Sequence, residues 1–157
     1  MISGTVRSRV RTEPAPNVAE QEVTAPAILV VEDDPDVLDL VAAGLCARGY
    51  RVLGARDALD VMEDRSRFVA GFGSLGDIEL VITDLVMPRA SGVDLLRHMR
   101  ENGWSASALV ISGYSDHRMW SEAFELGAVA VLHKPFRLED LLHMVERLAP
   151  VPEPPSS

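Results

Sequence analysis

A single cysteine, Cys46, stands among the 157 residues. That excludes an internal disulfide and any cysteine-based zinc site. Cys46 falls within a helical pattern and reads as a packing or surface thiol, not a reactive one. No apolar run approaches the ~20 residues that a membrane-spanning helix needs, and the N-terminus has no apolar signal core. Positive charge is also scarce. The formal net charge is -9, and residues 26-149, with 20 acids against 12 bases, carry -8 of it. A nucleic-acid surface needs a basic stripe, so direct nucleic-acid contact is not expected, nor is a membrane; the expected location is cytoplasmic. Lysine is nearly missing: Lys134 is the only one among 15 basic residues, the other 14 being arginine. A compact ammonium on a flexible stem differs chemically from a guanidinium fork, so its position carries information.

What is present fits one domain with tails, and 47% of the residues are hydrophobic, enough for one core. Residues 1-25 are polar, with Arg7, Arg9 and Arg11 balanced by Glu13, Glu20 and Glu22, and without apolar periodicity; they are expected to form a disordered arm. Residues 26-149 form the expected domain. Residues 150-157 hold four prolines and are expected to be a stiff, disordered tail.

Within the domain, apolar runs alternate with helical patterns. Ala27–Val31 is a continuous apolar run, typical of a strand buried on both faces. Asp34 suits a helix N-cap and Pro35 the first helical position, and the periodicity of Val37, Leu40, Val41 and Leu45 runs to Arg48, where Gly49 stops it. Tyr50–Leu53 is a short second strand, and Asp57 caps a helix carried by Ala58, Leu59, Val61 and Met62. Residues 64-78 break periodicity and predict a helix end and an extended loop. A third strand covers Glu79–Thr83, and a third helix runs from Gly92 to Asn102-Gly103. A fourth strand covers Ala108–Ile111. Ser115 and Asp116 open a fourth helix that Gly127 caps. The fifth strand is Ala128–Leu132, and the last helix is Leu138–Leu148. Five strands alternating with five helices predict an α/β fold, a parallel sheet with helices on both faces and right-handed crossovers. Sites in such sheets lie at the C-terminal ends of the strands.

Those ends hold the informative residues. Strand one runs into Glu32-Asp33, strand three ends in Asp84, strand four in Ser112 and strand five in Lys134. Carboxylates brought within a few ångströms raise one another's pKa values, and a hard, oxygen-preferring cation removes the conflict. Mg²⁺ fits, because it takes one or two carboxylates and keeps waters for a phosphate. Phosphoryl transfer follows as the chemistry, since positioning and charge neutralisation do most of its work. Asp84 is the natural nucleophile because carboxylates form aspartyl-phosphates, and Ser112 and Lys134 would grip the oxygens of the product.

At Val30-Val31-Glu32-Asp33-Asp34-Pro35, Asp84-Leu85-Val86-Met87-Pro88, Ile111-Ser112-Gly113 and Lys134-Pro135-Phe136 the sequence resembles the receiver domain of two-component response regulators, over about residues 27-148. Each segment is weak alone; four in order, each after an apolar run, are highly specific. The resemblance implies a flavodoxin-like doubly wound (βα)5 fold with a five-stranded parallel sheet in the order 2-1-3-4-5. It implies Asp84 as phospho-acceptor, Asp33 as direct Mg²⁺ ligand with Glu32 acting through water, and the Val86 backbone carbonyl as a further ligand. Ser112 matches the family's hydroxyl position and Lys134 its phosphate-pairing lysine. The implied partners are a sensor histidine kinase or phosphotransfer protein and a downstream protein target. The expected chain is a stand-alone switch, monomeric or dimerising on phosphorylation, and not an enzyme beyond its own phosphorylation and slow dephosphorylation.

One departure bears on signal relay. The family often places Tyr or Phe three residues before the lysine, where it swings on phosphorylation; here that position is Val131. Trp120 and Phe124, at i and i+4 on the fourth helix, share a face; both are expected on a partner surface built from the fourth helix, fifth strand and last helix, with packing on a neighbouring helix of the same domain as the competing reading. The alternative is a pseudo-receiver, a binding module that keeps the fold without using the phosphate. A Mg²⁺-dependent phosphatase would place a second acid two residues after the nucleophile, where Val86 stands.

Overall fold

Each of the five apolar runs becomes a strand: β1 (Ala27–Val31), β2 (Arg51–Ala55), β3 (Ile78–Asp84), β4 (Ser107–Ser112) and β5 (Ala128–His133). The computed structural model describes residues 25-63, 77-113 and 117-153. Between the strands lie α1 (Pro35–Ala47), α2 (Ala58–Glu63), α3 (Gly92–Glu101), α4 (His117–Glu125) and, last, α5 (Leu138–Leu148). The strands pair in the order β2-β1-β3-β4-β5, and every pairing is parallel. This is the expected flavodoxin-like doubly wound arrangement. β1 is buried along its whole length, as its unbroken apolar run requires of a central strand, whereas the edge strands β2 and β5 are only partly covered.

Alternation along the strands divides the core between the two faces of the sheet. Leu29, Val31, Val81 and Val110 pack with α2, α3 and α4 through Val61, Val93, Leu96, Met99 and Ala123. Ile28, Val30, Leu80, Ile82, Leu109 and Ile111 pack with α1 and α5 through Val41, Leu45, Leu141 and Val145. Helix ends obey local chemistry. The Asp34 carboxylate accepts from the Asp36 and Val37 amides, and Ser91 with Asp94 forms a capping box at the start of α3. Arg100, near the end of α3, donates to the carbonyls of Leu126, Trp104 and Ala106 at 2.5–2.7 Å, tying α3 to the end of α4 and to the approach to β4. Gly127 sits against that guanidinium at φ +104, and a Cβ there would lie 2.3 Å from Arg100 Nη2.

Register aligns the strand tips. Val31 lies beside Thr83, Asp84 beside Ile111 and Ser112 beside His133, so Glu32, Asp84, Ser112 and Lys134 reach the same edge of the sheet within about two residues of one another. The strands run further than the sequence predicts. β2 continues through Gly54 to Ala55 because Leu38 of α1 packs over the glycine; a Cβ there would meet Leu38 Cδ1 at 3.2 Å. β3 starts at Ile78 and includes Asp84, β4 spans Ser107–Ser112, and β5 reaches His133. The predicted arm at 1-24, the loop at 64-76, the start of the fourth helix at Ser115-Asp116 and the tail from 154 lie outside the described residues.

Candidate functional site

Asp84 is delivered by the most buried part of β3 and is itself 5% exposed. A buried carboxylate needs partners, and it has them on both oxygens. Lys134 Nζ donates to Oδ2 at 2.5 Å, and the Val86 amide donates to Oδ1 at 3.1 Å. The backbone behind it is fixed by close packing: Gly92 N–H donates to the Leu85 carbonyl at 2.8 Å, and a Cβ on Gly92 would lie 2.3 Å from the Asp84 carbonyl oxygen. Thr83 adds its hydroxyl to that same carbonyl at 2.9 Å.

Glu32 lies beside Asp84, 1% exposed, because it follows β1 at the level where β3 ends. Its Oε1 accepts from the Asp34 amide at 3.2 Å. Its Oε2 is buried without a hydrogen bond, 3.5 Å from Lys134 Nζ. Glu32, Asp33 and Asp84 each offer one carboxylate oxygen, and these atoms lie within 4.8 Å of one another. An all-oxygen set of this kind suits a hard divalent cation, and Glu32 Oε2, which has an ion pair but no hydrogen bond, has a lone pair to offer one. An open cavity of about 440 Å³ adjoins it, lined by Asp33, Arg56, Asp57, Asp60 and Pro88. At its margin Arg89, at φ 73, pairs with Asp57 at 3.0 Å.

Burial pushes Glu32 up from 4.5 to about 7; the Asp34 amide and the Lys134 charge oppose this, and the Asp84 charge adds to it. For Lys134, burial works against the ammonium, but the hydrogen bond and charge of Asp84, with Glu32 behind them, more than offset it, and the net shift is upward.

The hydroxyl side is built differently. Ser112 is fully buried. Its Oγ donates to the Gly113 carbonyl at 3.0 Å and accepts from Trp120 Nε1 at 2.9 Å. Its carbonyl accepts from the Lys134 amide at 2.9 Å. The Trp120 ring lies against His133, with centroids 4.8 Å apart in an edge arrangement, and against His117 at 4.2 Å.

The residues sequence reasoning selected for chemistry therefore meet in two linked groups: Glu32, Asp33, Asp84 and Lys134 on one side, Ser112 on the other. Val86, next to Asp84, leaves its side chain 54% exposed. Val131 packs partly buried on the α2–α4 face of the core. Trp120 and Phe124 do not share an open patch as expected: Phe124 is exposed, whereas Trp120 is half-buried against the core. The reason is the indole N–H, which needs an acceptor when covered and finds one in Ser112. Gly92 was also missed as a site residue; the signal available was a glycine opening a helix eight residues after the candidate nucleophile.

Comparison with known proteins agrees with this geometry. Residues 28–146 match the family described as the response regulator receiver domain. The chain belongs to the response regulator receiver family. Receiver domains are modules of phosphorylation-based signalling, and that is the general role of this one. Among the relatives, the response regulator protein TmoT of Ectopseudomonas mendocina is 32% identical over 126 residues, covering 78% of this chain and 54% of that protein. Response regulator RR06 of Streptococcus pneumoniae is 32% identical over 121 residues, covering 77% of this chain and 52% of its own length. The chain thus spans about half the length of the curated relatives it matches. A receiver protein crystal structure from Pseudomonas putida superposes with a TM-score of 0.67 at 32% identity, covering 80% of this chain and 98% of that one. A receiver domain from Clostridium thermocellum gives 0.67 at 27% identity, covering 79% and 94%. No described helix of this receiver is long and apolar enough to cross a membrane.

Proposed function

We propose that this receiver accepts a phosphoryl group on Asp84 from a phosphohistidine of a sensor kinase or phosphotransfer protein in the cytoplasm, and acts as a switch by protein contact. The observation that carries this is the Asp84 carboxylate itself: nearly buried, hydrogen-bonded to Lys134 at 2.5 Å, and grouped with two further carboxylates within 4.8 Å. One Asp84 oxygen forms the new O–P bond as the P–N bond to the donor imidazole breaks, and the imidazole leaves with the electron pair. Glu32, Asp33 and Asp84, with the Val86 carbonyl, would hold Mg²⁺. That ion, when bound, neutralises charge on the transferring phosphoryl oxygens. Lys134 then pairs with a phosphoryl oxygen in place of the free carboxylate, and Ser112 donates to another. The residues act on the chain's own aspartate, so no turnover of external substrates is proposed.

For output, exposed Phe124 on α4, Val129 on β5 and Leu148 on α5 support the α4–β5–α5 face as the contact surface. A cavity of about 200 Å³ between Ala130, Met144, Arg147 and Leu148 lies in it. The new charge on Asp84 would bias that surface between two states.

Intact mass after incubation with acetyl phosphate tests the chemistry. The expected outcome is one added phosphoryl group, about 80 Da, only with Mg²⁺ and only while Asp84 is present; Asp84→Asn gains nothing. No gain in wild type under any condition would leave a phosphate-independent binding module.

A further inference from the structure

We propose that Trp120 is the positioning residue for the Ser112 hydroxyl, and that its indole reports the state of Asp84 to α4 and the tip of β5. The proposal rests on the reading that Asp84 carries the phosphoryl group and Ser112 grips it. In this chain the relay ring would come from a helix, because the strand position three residues before Lys134 holds Val131.

The chemistry of the two groups sets the direction of their contact. An indole N–H only donates, while a hydroxyl has one proton and two lone pairs. At 2.9 Å, Trp120 therefore occupies a lone pair of Ser112 Oγ, and the hydroxyl proton must point elsewhere. One acceptor within reach is the Gly113 carbonyl, at 3.0 Å. A phosphoryl oxygen on Asp84 is a charged and stronger acceptor than a peptide carbonyl. The proton would then leave Gly113 for the phosphoryl group, while Trp120 keeps its hold on the oxygen. As the hydroxyl turns toward the phosphoryl group its oxygen shifts with it, and the hydrogen bond carries the indole along.

The same ring has two further neighbours. It lies 4.8 Å from the ring of His133, the residue before Lys134, and 4.2 Å from that of His117 in the first turn of α4. Ser112 is fully buried, so a displacement of its oxygen cannot be absorbed by solvent. It passes to the indole, and from there to two exposed histidines on the face proposed for output.

Two measurements test this. In ¹H–¹⁵N spectra the chain gives two indole signals, from Trp104 and Trp120, assigned through Trp120→Phe. Acetyl phosphate with Mg²⁺ should shift the Trp120 signal and leave that of Trp104, and neither should move in Asp84→Asn. In kinetics followed by intact mass, Trp120→Phe, which keeps a ring but loses the donor, should slow phosphorylation about three- to tenfold, the scale of one hydrogen bond. Ser112→Ala should also slow it, and the double variant should be no slower than Ser112→Ala alone. Additive losses, or an unmoved Trp120 signal in protein whose mass shows the phosphoryl group, would overturn the proposal. If Trp120→Phe does not fold, Trp104→Phe gives the assignment and the wild-type shift decides. A wild type that gains no mass removes the phospho-acceptor reading and the relay with it, so the two failures are distinguishable.

Discussion

The two sides of the site are held by different forces. On the acid side, Lys134 reaches Asp84 at 2.5 Å and Glu32 at 3.5 Å, and the Asp84 backbone rests on Gly92 with no room for a methyl group. On the hydroxyl side the Ser112 hydroxyl meets neutral groups, an indole N–H and a peptide carbonyl, and beyond the indole lies the edge-on ring of His133. Ion pairs in partly buried surroundings are strong and costly to break, whereas a neutral hydrogen bond contributes roughly 1 kcal/mol net and can exchange partners. On the proposed reading, the group that would receive charge is clamped, and the group that would respond to it is held by neutral hydrogen bonds.

Substitutions can break this contrast in a graded order. Gly92→Ala should do most damage, because its Cβ meets backbone, not a flexible side chain. A loss of about 3 kcal/mol is expected, read as a lower urea midpoint. Lys134→Met removes the cation that pairs with both Asp84 and Glu32. It should lose about 2 kcal/mol, and excess Mg²⁺ should restore part of this by standing in for the ammonium; a variant as stable as wild type without metal would show that the clamp is not electrostatic. Ser112→Ala leaves the Trp120 N–H without its acceptor and should lose about 1.5 kcal/mol, with no recovery on adding Mg²⁺. The smallest effect is a pH slope. Folded Glu32 keeps its proton up to about 7 while its ordinary value is 4.5, so between those values the folded state binds more protons than the unfolded one. Stability therefore falls as pH rises through that window, by on the order of 1 kcal/mol between pH 6 and pH 7 in chelator. Thermal melts across the range check this, and Mg²⁺ should flatten the slope.

The acid side was the more legible in sequence. Apolar runs ending abruptly in Glu32-Asp33, Asp84, Ser112 and Lys134 mark strand tips, and a parallel sheet brings such tips to one edge. What periodicity does not reveal is where a helix turns its faces. Spacing put Trp120 and Phe124 on one stripe of α4, yet only Phe124 meets solvent, because a donor-only indole took the nearest buried acceptor. The extra length of β2 was hidden for a related reason. Gly54 resembles a strand stop, but the glycine makes room for Leu38 of the preceding helix, packed across it. Both cases turn on contacts between elements, which residue order along one element does not encode.

Lys134, the chain's sole lysine, has a consequence for anyone handling the protein. Reagents that acylate amines (cross-linkers, fluorescent esters, surface-coupling chemistries) find one side-chain amine, and it belongs to the clamp. Asp84 keeps that nitrogen protonated, the form that does not attack an ester, although its side chain is 34% exposed. Acylation of Lys134 will be slow while the pair stands, leaving the α-amine as the faster target, and on the proposed reading a label on Lys134 would remove the ammonium that faces Asp84.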